Sequence, residues 1–213
     1  MFCRNVLSWR KKNNFDSIYP WRNSKDNYKI LVSEILLKKT TRKQVAKEWR
    51  TFIKNFPDVK SLSEARVAKL ERILRPLGLE HTRSVHLKKL GRYIMKNHSG
   101  RVPDSKEELL KIPGVGPYTA NAVMCFAFQH DVSMVDTNIM RVVKRVFSIK
   151  SDKKRDRTDK KLWDFVEKLP PKGKGKEFNY AILDFSNEVC TARNPKCPTC
   201  PMRKICGYYK NNF

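Results

Sequence analysis

Apolar positions recur at helical spacing along almost the whole chain. Tyr28, Leu31, Val32 and Ile35 form one stripe and predict a helix over Tyr28–Lys38. Val45, Trp49, Phe52, Ile53 and Phe56 predict the next, which stops at Pro57. Ser61 and Glu64 read as the cap of a helix reaching Leu74; Pro76-Leu77-Gly78-Leu79 is a turn, and a helix over Thr82–Asn97 ends before Gly100. Ser105 and Glu108 read as a capping box opening a short helix with Leu109, Leu110 and Ile112 on its apolar side. Pro113-Gly114-Val115-Gly116-Pro117 then feeds another helix. Further stripes are Ile139, Val142, Val143, Val146 and Phe147; Leu162, Phe165, Val166 and Leu169, closed by Pro170-Pro171; and Phe178, Ala181, Ile182, Phe185 and Val189. Val6, Leu7, Trp9 and Phe15 predict a helix over part of Met1–Tyr19, before a loop marked by Pro20-Trp21-Arg22 and Asp26-Asn27. The charged run 150–161 reads as a solvated loop, and Lys172-Gly173-Lys174-Gly175-Lys176 as a flexible basic one. No stretch alternates with period two and none repeats. The expectation is an all-α fold.

Charge narrows the partner. The 213 residues hold 46 Lys and Arg against 21 Asp and Glu, a net charge of +25 spread along the chain. A polyanion is expected, and nucleic acid before a membrane surface. No apolar run approaches a membrane span and no secretory signal opens the chain, so a cytoplasmic protein is expected. Of six cysteines, four fall after residue 189, which without an export signal points to metal or cluster ligation.

Four constellations carry candidate chemistry. Gly114 and Gly116 sit in a tight turn before a helix start with Pro117 in its first turn, an arrangement that lets backbone N–H groups meet a phosphate. An ordinary αα-corner closed by Gly and Pro has the same signature. Glu34 lies between Ile30 and Leu37 on the stripe adjacent to the apolar one, where lost solvation would raise its pKa toward that of a general acid. Lys38 is four residues on, and from spacing alone a plain surface pair is the better fit. Asp136 precedes a clean helical stripe and is a natural N-cap, a role compatible with an immobilised reactive carboxylate. Cys190, Cys197, Cys200 and Cys206 follow C-x6-C-x2-C-x5-C, close enough in sequence to wrap one metal centre. A tetrahedral zinc site is the alternative, although it usually shows two C-x2-C knuckles and this chain has one. Cys125 reads as a small core residue.

Ile112-Pro113-Gly114-Val115-Gly116-Pro117-Tyr118-Thr119-Ala120 and Val135-Asp136-Thr137-Asn138-Ile139-Met140-Arg141-Val142 together resemble the helix-hairpin-helix DNA glycosylases with an iron–sulfur cluster. That superfamily includes endonuclease III, adenine-DNA glycosylase and the archaeal thymine-DNA mismatch glycosylases. The resemblance covers nearly the whole chain in the family's order. Glu34-Ile35-Leu36-Leu37-Lys38-Lys39-Thr40-Thr41, Ala122-Val123-Met124-Cys125-Phe126-Ala127-Phe128 and Met134-Val135-Asp136 are most similar to the archaeal subgroup. Thr137 and Pro117 depart from that subgroup's pattern.

The resemblance implies two lobes with a cleft between them: a six-helix domain over 28–135 with the hairpin, and a cluster-bearing helical domain from 1–27 and 136–213. It implies one 4Fe-4S cluster on Cys190, Cys197, Cys200 and Cys206, pinning the loop that presents Arg193 and Lys196 to phosphates. Catalytic roles fall on Asp136, Glu34, Tyr118 and Asn138. Asp136 would stabilise the sugar, activate water or act as a transient nucleophile, and Asn138 would orient it. Tyr118 stands where endonuclease III has an imine-forming Lys, which implies a monofunctional enzyme with little strand cleavage. Gly114, Val115 and Gly116 would anchor phosphates, directly or through a cation. Lys39 and Leu79 would fill the gap left by a flipped base, and Arg141 and Lys144 would add phosphate contacts. The expected partner is double-stranded DNA with a mismatched or damaged base, bound by a monomer with no membrane. The expected target is thymine or uracil opposite guanine. The chain stops at Phe213, without the extra domain by which adenine-DNA glycosylases inspect 8-oxoguanine. An adenine glycosylase and a non-catalytic helix-hairpin-helix DNA-binding protein are the rival readings.

Overall fold

A computed structural model describes residues 1–213 except 14, 152 and 154–157. The described residues contain helices, turns and no strand. They divide into two compact units, one of Met1–Asn14 with Gln129–Phe213, the other of Phe15–Phe128.

The Phe15–Phe128 unit holds α2 (Asn27–Leu36), α3 (Arg42–Asn55), α4 (Val59–Glu64), α5 (Val67–Leu74), α6 (Glu80–His98), α7 (Lys106–Lys111) and α8 (Pro117–Phe126). Helix α6 packs on α4 and α5, and α2 packs on α3 and α8. The core between them holds Leu31, Leu36, Phe52, Phe56, Leu62, Leu70, Leu74, Leu87, Leu90 and Ile94, all essentially inaccessible to water. Two polar side chains inside it are paired: Tyr28 Oη donates to the Phe56 carbonyl at 2.9 Å, and Trp49 Nε1 donates to Ser33 Oγ at 2.8 Å. Thr41 and Gln44 form the reciprocal capping box of α3.

Three local expectations change here. The helix predicted from Ser61 to Leu74 is two helices broken at Ala65–Arg66, so this unit has one more than the six expected. The cap belongs to Asp58, whose side chain takes the Ser61 N–H at 2.7 Å while Ser61 Oγ closes the box. Those N–H bonds hold the Asp58 carboxyl below the usual carboxylate range. Ser105 does cap α7, but Glu108 does not complete a box. Its side chain pairs with Lys111 at 2.6 Å, and Ser105 Oγ donates to Glu107 instead.

The other unit is built on α9 (Thr137–Phe147), flanked by α10 (Lys160–Glu167), α11 (Gly175–Glu188) and the short α12 (Gly207–Asn212). Helix α1 (Phe2–Lys12) lies against α11. Aromatic edges join them: Phe2 meets Phe147 at 5.1 Å and Phe178 at 6.4 Å, Trp9 meets Phe185 at 5.5 Å, and Phe147 meets Phe165 at 5.0 Å between centroids. The basic segment 172–176, expected to be flexible, is tied down. Asp131 accepts from the Gly173 N–H at 2.5 Å and the Gly175 N–H at 2.9 Å, which hold its carboxyl low. Of the charged run 150–161, residues 152 and 154–157 lie outside the described residues.

One close approach sets the α4–α6 packing. A Cβ at Gly91 would lie 2.9 Å from the Ser63 nitrogen and 3.1 Å from its Cα, both rigid backbone. Gly91→Ala must therefore push α6 off α4, and we expect it to cost about 1–3 kcal/mol. A lowered midpoint in chemical denaturation checks this; an unchanged midpoint would show that α6 has room to move.

Candidate active site and metal centre

In the Phe15–Phe128 unit, Glu34 comes from the third turn of α2 and is 4 % exposed. The surface-pair alternative required a solvated carboxylate, and this one is enclosed. Lys38 lies just past the end of the same helix. Burial pulls the pKa of its ammonium down while Glu34 pulls it up, and its Nζ donates to the Gly114 carbonyl of the hairpin. The carboxylate, this lysine and the glycine turn are thus brought together.

The hairpin has the predicted form. Val115 N–H returns to the Ile112 carbonyl at 3.0 Å, and Gly114 has φ +85°, a conformation that disfavours side chains. Gly116 is different. Its φ of −106° suits any residue, and a Cβ there would meet no protein atom within 4 Å. Neither backbone strain nor packing requires this glycine, so the open space beside it suits the approach of an external group. Gly116 is also the N-cap of α8 and has no side chain to cap the first-turn N–H groups. Tyr118, second in α8, is partly buried.

Two exposed side chains sit at turn tips. Lys39 (φ +54°) and Leu79 (φ +55°) are both left-handed, which is uncommon for residues other than glycine and concentrates at functional sites. Leu79 is 52 % exposed, a large apolar side chain left in water. The structure adds a residue that the sequence did not single out. Arg83, 5 % exposed, donates from Nη2 to the Lys38 carbonyl and to Thr40 Oγ1, each at 2.8 Å. A lone arginine in a helix gives no periodic or spacing signal.

In the other unit, Asp136 is the N-cap of α9. Its Oδ1 accepts from the Asn138 N–H at 2.9 Å and the Ile139 N–H at 2.7 Å, and its Oδ2 accepts from Asn138 Nδ2 at 3.0 Å. Arg141, expected to contact phosphate, makes three hydrogen bonds inside the unit. Its Nη1 donates to Asn138 Oδ1 (2.9 Å), its Nη2 to the Ser186 carbonyl (2.9 Å) and its Nε to the Cys190 carbonyl (3.0 Å). A continuous chain of hydrogen bonds thus runs from the Asp136 carboxylate to the first cysteine. Lys144 is only partly buried.

Cys190, Cys197, Cys200 and Cys206 line one pocket, walled by Val146, Phe185, Val189 and Met202. None of the four is in a disulfide, and burial is the main force raising the pKa of Cys197 and of Cys200, the latter to about 11. Among the described residues no three His, Cys, Asp or Glu side chains converge tightly enough for a single metal ion. The surroundings fit the expected iron–sulfur cluster: the Met202 N–H points at Cys200 Sγ (3.4 Å) and Arg145 Nη1 at Cys190 Sγ (3.6 Å). Arg145 also holds the Thr191 and Ala192 carbonyls at 2.7 and 3.1 Å and lies 4.8 Å from the Tyr208 ring centroid. It shapes the loop on which Arg193 and Lys196 are exposed. Its signal in the sequence was its position four residues after Arg141, on the same helix face.

An ordered glycine hairpin, a capped carboxylate and a four-cysteine loop in one helical chain define a class. Residues 32–168 match the HhH-GPD superfamily of base excision DNA repair proteins, and residues 190–206 match the iron–sulfur binding domain of endonuclease III. The chain belongs to that superfamily, as a DNA glycosylase whose C-terminal loop is the site of a 4Fe-4S cluster. It is 41 % identical over 211 residues to the thymine-DNA glycosylase of Aeropyrum pernix, covering 98 % of this chain and 94 % of that one. It is 38 % identical over 213 residues to the thymine/uracil-DNA glycosylase of Methanothermobacter thermautotrophicus, covering 99 % and 94 %. Its fold matches the solved structure of a thermostable thymine-DNA glycosylase with a TM-score of 0.93 at 36 % identity, covering 99 % of this chain and 95 % of that one. No helix among the described residues is long and apolar enough to cross a membrane.

Gly116 provides a direct test of the hairpin. Because an added methyl meets no protein atom, Gly116→Ala should leave the melting temperature unchanged. Affinity for duplex DNA should fall about tenfold as the methyl holds phosphate away from the N–H groups. Melting curves and fluorescence anisotropy on one preparation check both halves.

Proposed function

We propose that this protein removes thymine or uracil mispaired with guanine from duplex DNA, acting as a monomer and leaving an abasic site without cutting the strand. The archaeal thymine/uracil glycosylases similar over nearly the full chain support the target base. The observation that carries the chemistry is the Asp136 carboxylate, held by three hydrogen bonds at the start of α9.

Breaking an N-glycosidic bond develops positive charge on the sugar and negative charge on the leaving base. A carboxylate fixed by N–H groups meets the first without reorganising. Asp136 fills this role, either stabilising the cationic sugar or activating the water that attacks it. Asn138 orients it, and Arg141 holds Asn138. Glu34 and Tyr118 serve the departing base: the enclosed carboxyl offers a proton or hydrogen bond, and the phenol a donor or a stacking face. Tyr118 has no amine, so the product sugar is not captured as an imine, and strand cleavage is absent or slow.

The hairpin N–H groups of Gly114 to Gly116 anchor the backbone next to the extruded nucleotide. Lys39 and Leu79 enter the space it leaves. Cys190, Cys197, Cys200 and Cys206 would hold the cluster, which supplies a rigid core to the loop presenting Arg193 and Lys196 to phosphates. The hairpin-bearing domain is proposed to span 28–135, with 1–27 and 136–213 forming the cluster-bearing domain.

Asn caps a helix as well as Asp does, so Asp136→Asn retains the fold while removing the charge. Single-turnover base release should fall by about 100-fold or more, with affinity for a T:G duplex kept. The substrate panel is T:G, U:G, A:G and A:8-oxoguanine duplexes, followed by alkali, with a parallel borohydride arm. Release from adenine pairs alone would refute the target base, a borohydride-trapped adduct would refute the monofunctional mechanism, and full activity in Asp136→Asn would refute the role of the carboxylate.

A further inference from the structure

We propose that Arg83 is a positioning residue that braces the two turn tips, Lys39 and Leu79, so that both are already shaped to enter the duplex. This rests on the reading of those two side chains as the ones that fill the gap. It adds the residue that makes them act together.

The two tips belong to different segments. Lys39 follows α2, Leu79 precedes α6, and each occupies a left-handed conformation that its side chain disfavours. Such strain persists only where the surroundings hold it. One bonded system spans both. Arg83 Nη2 reaches the Lys38 carbonyl and Thr40 Oγ1, each at 2.8 Å, so it clamps the residues on either side of Lys39. Thr40 accepts from Arg83 and donates its own hydroxyl proton to the Leu77 carbonyl at 3.2 Å, two residues before Leu79. Arg83 itself stands in the first turn of α6, whose N-cap is Leu79, and its own N–H bonds to the Leu79 carbonyl at 2.8 Å.

The same turn also reaches the hairpin through Lys38 Nζ and the Gly114 carbonyl. The phosphate anchor and both tips are therefore cross-tied by side chains within one unit.

Among the described residues this guanidinium is not half of an ion pair: its hydrogen bonds go to neutral oxygens, and its Nη1 is buried without a hydrogen-bond partner. A charged group so enclosed, with only uncharged acceptors, is poorly explained by stability and well explained by the geometry it enforces. Pre-organised tips need no ordering when they meet DNA, so the gain falls on the insertion step and leaves general duplex affinity alone.

The test follows insertion directly. Stopped-flow fluorescence of a duplex with 2-aminopurine next to a T:G pair reports the unstacking that accompanies extrusion of the base. Thr40→Val removes the bridging hydroxyl and leaves Arg83 bonded to Lys38; Arg83→Met removes the brace outright. Each should slow the fluorescence rise about tenfold, as should Leu79→Ala, while affinity for a fully paired duplex stays within about twofold. In the double variant Thr40→Val with Leu79→Ala, the rise should be slower than in Leu79→Ala alone by clearly less than the factor Thr40→Val produces by itself, because only the Lys39 side of the brace is left to lose. If Arg83→Met does not fold, Thr40→Val and its double variant carry the test. A normal rate in Thr40→Val beside a slowed Leu79→Ala would overturn the brace and leave the gap-filling reading standing. A normal rate in Leu79→Ala would overturn the gap-filling reading and the brace with it. Fully additive slowing in the double variant would also overturn the brace, because Thr40 would then be acting independently of Leu79.

Discussion

The start of α9 is the point on which most of the proposed chemistry depends. A helix begins with N–H groups that have no partner within it, and the Asp136 carboxylate satisfies two of them. The same bonds fix its oxygens in space, so one side chain terminates a helix and presents an immobile negative charge. Because α9 is also the helix that α10, α11 and α12 pack against, the charge is referenced to the centre of its unit, not to a loop. Asn138 and Arg141 extend that reference one helical turn onward, to the backbone of Cys190. A carboxylate placed this way meets a developing cation with its surroundings already arranged, which is where electrostatic catalysis gains most.

In the proposed reading the other unit meets the nucleic acid through turns, which are intrinsically loose, and stiffens them with side chains from packed helices. Lys38 reaches the hairpin carbonyl, and Arg83 reaches the turn before α3. Left-handed residues at Lys39, Leu79 and Gly114 then sit at defined places. Strain at exposed tips is tolerated where the buried Arg83, the hydrogen bond from Lys38 and the α4–α6 contact at Gly91 hold the framework.

Much of this was legible in the residue pattern. The helical stripes were correct for the elements they predicted, because a stripe of buried apolar residues is the same physical object in sequence and in space. Asp136 as an N-cap, the Gly-Val-Gly hairpin and the four-cysteine loop were legible for a related reason: each is a local motif whose partners lie within a few residues. The errors were also local, and they came from competition. Ser61 looked like an N-cap because Glu64 stood three residues on, but Asp58 was nearer the true helix start. Glu108 could complete a capping box or pair with Lys111, and the one-turn ion pair won.

What the sequence by itself determined is the helical class, the polyanion partner, the cluster loop and the identity of the capped carboxylate. The tertiary structure alone decided which charged residues are internal. Glu34 could have been half of a surface pair with Lys38, Arg141 could have been free for phosphate, and Arg83 carried no signal. Each depends on partners dozens of positions away: Lys38 on Gly114, Arg83 on Lys38 and Thr40, Arg141 on Ser186 and Cys190. Periodicity reports which face of a helix is apolar, but a long polar side chain can turn inward to any oxygen that the fold leaves within reach. Only packing decides which oxygen that is.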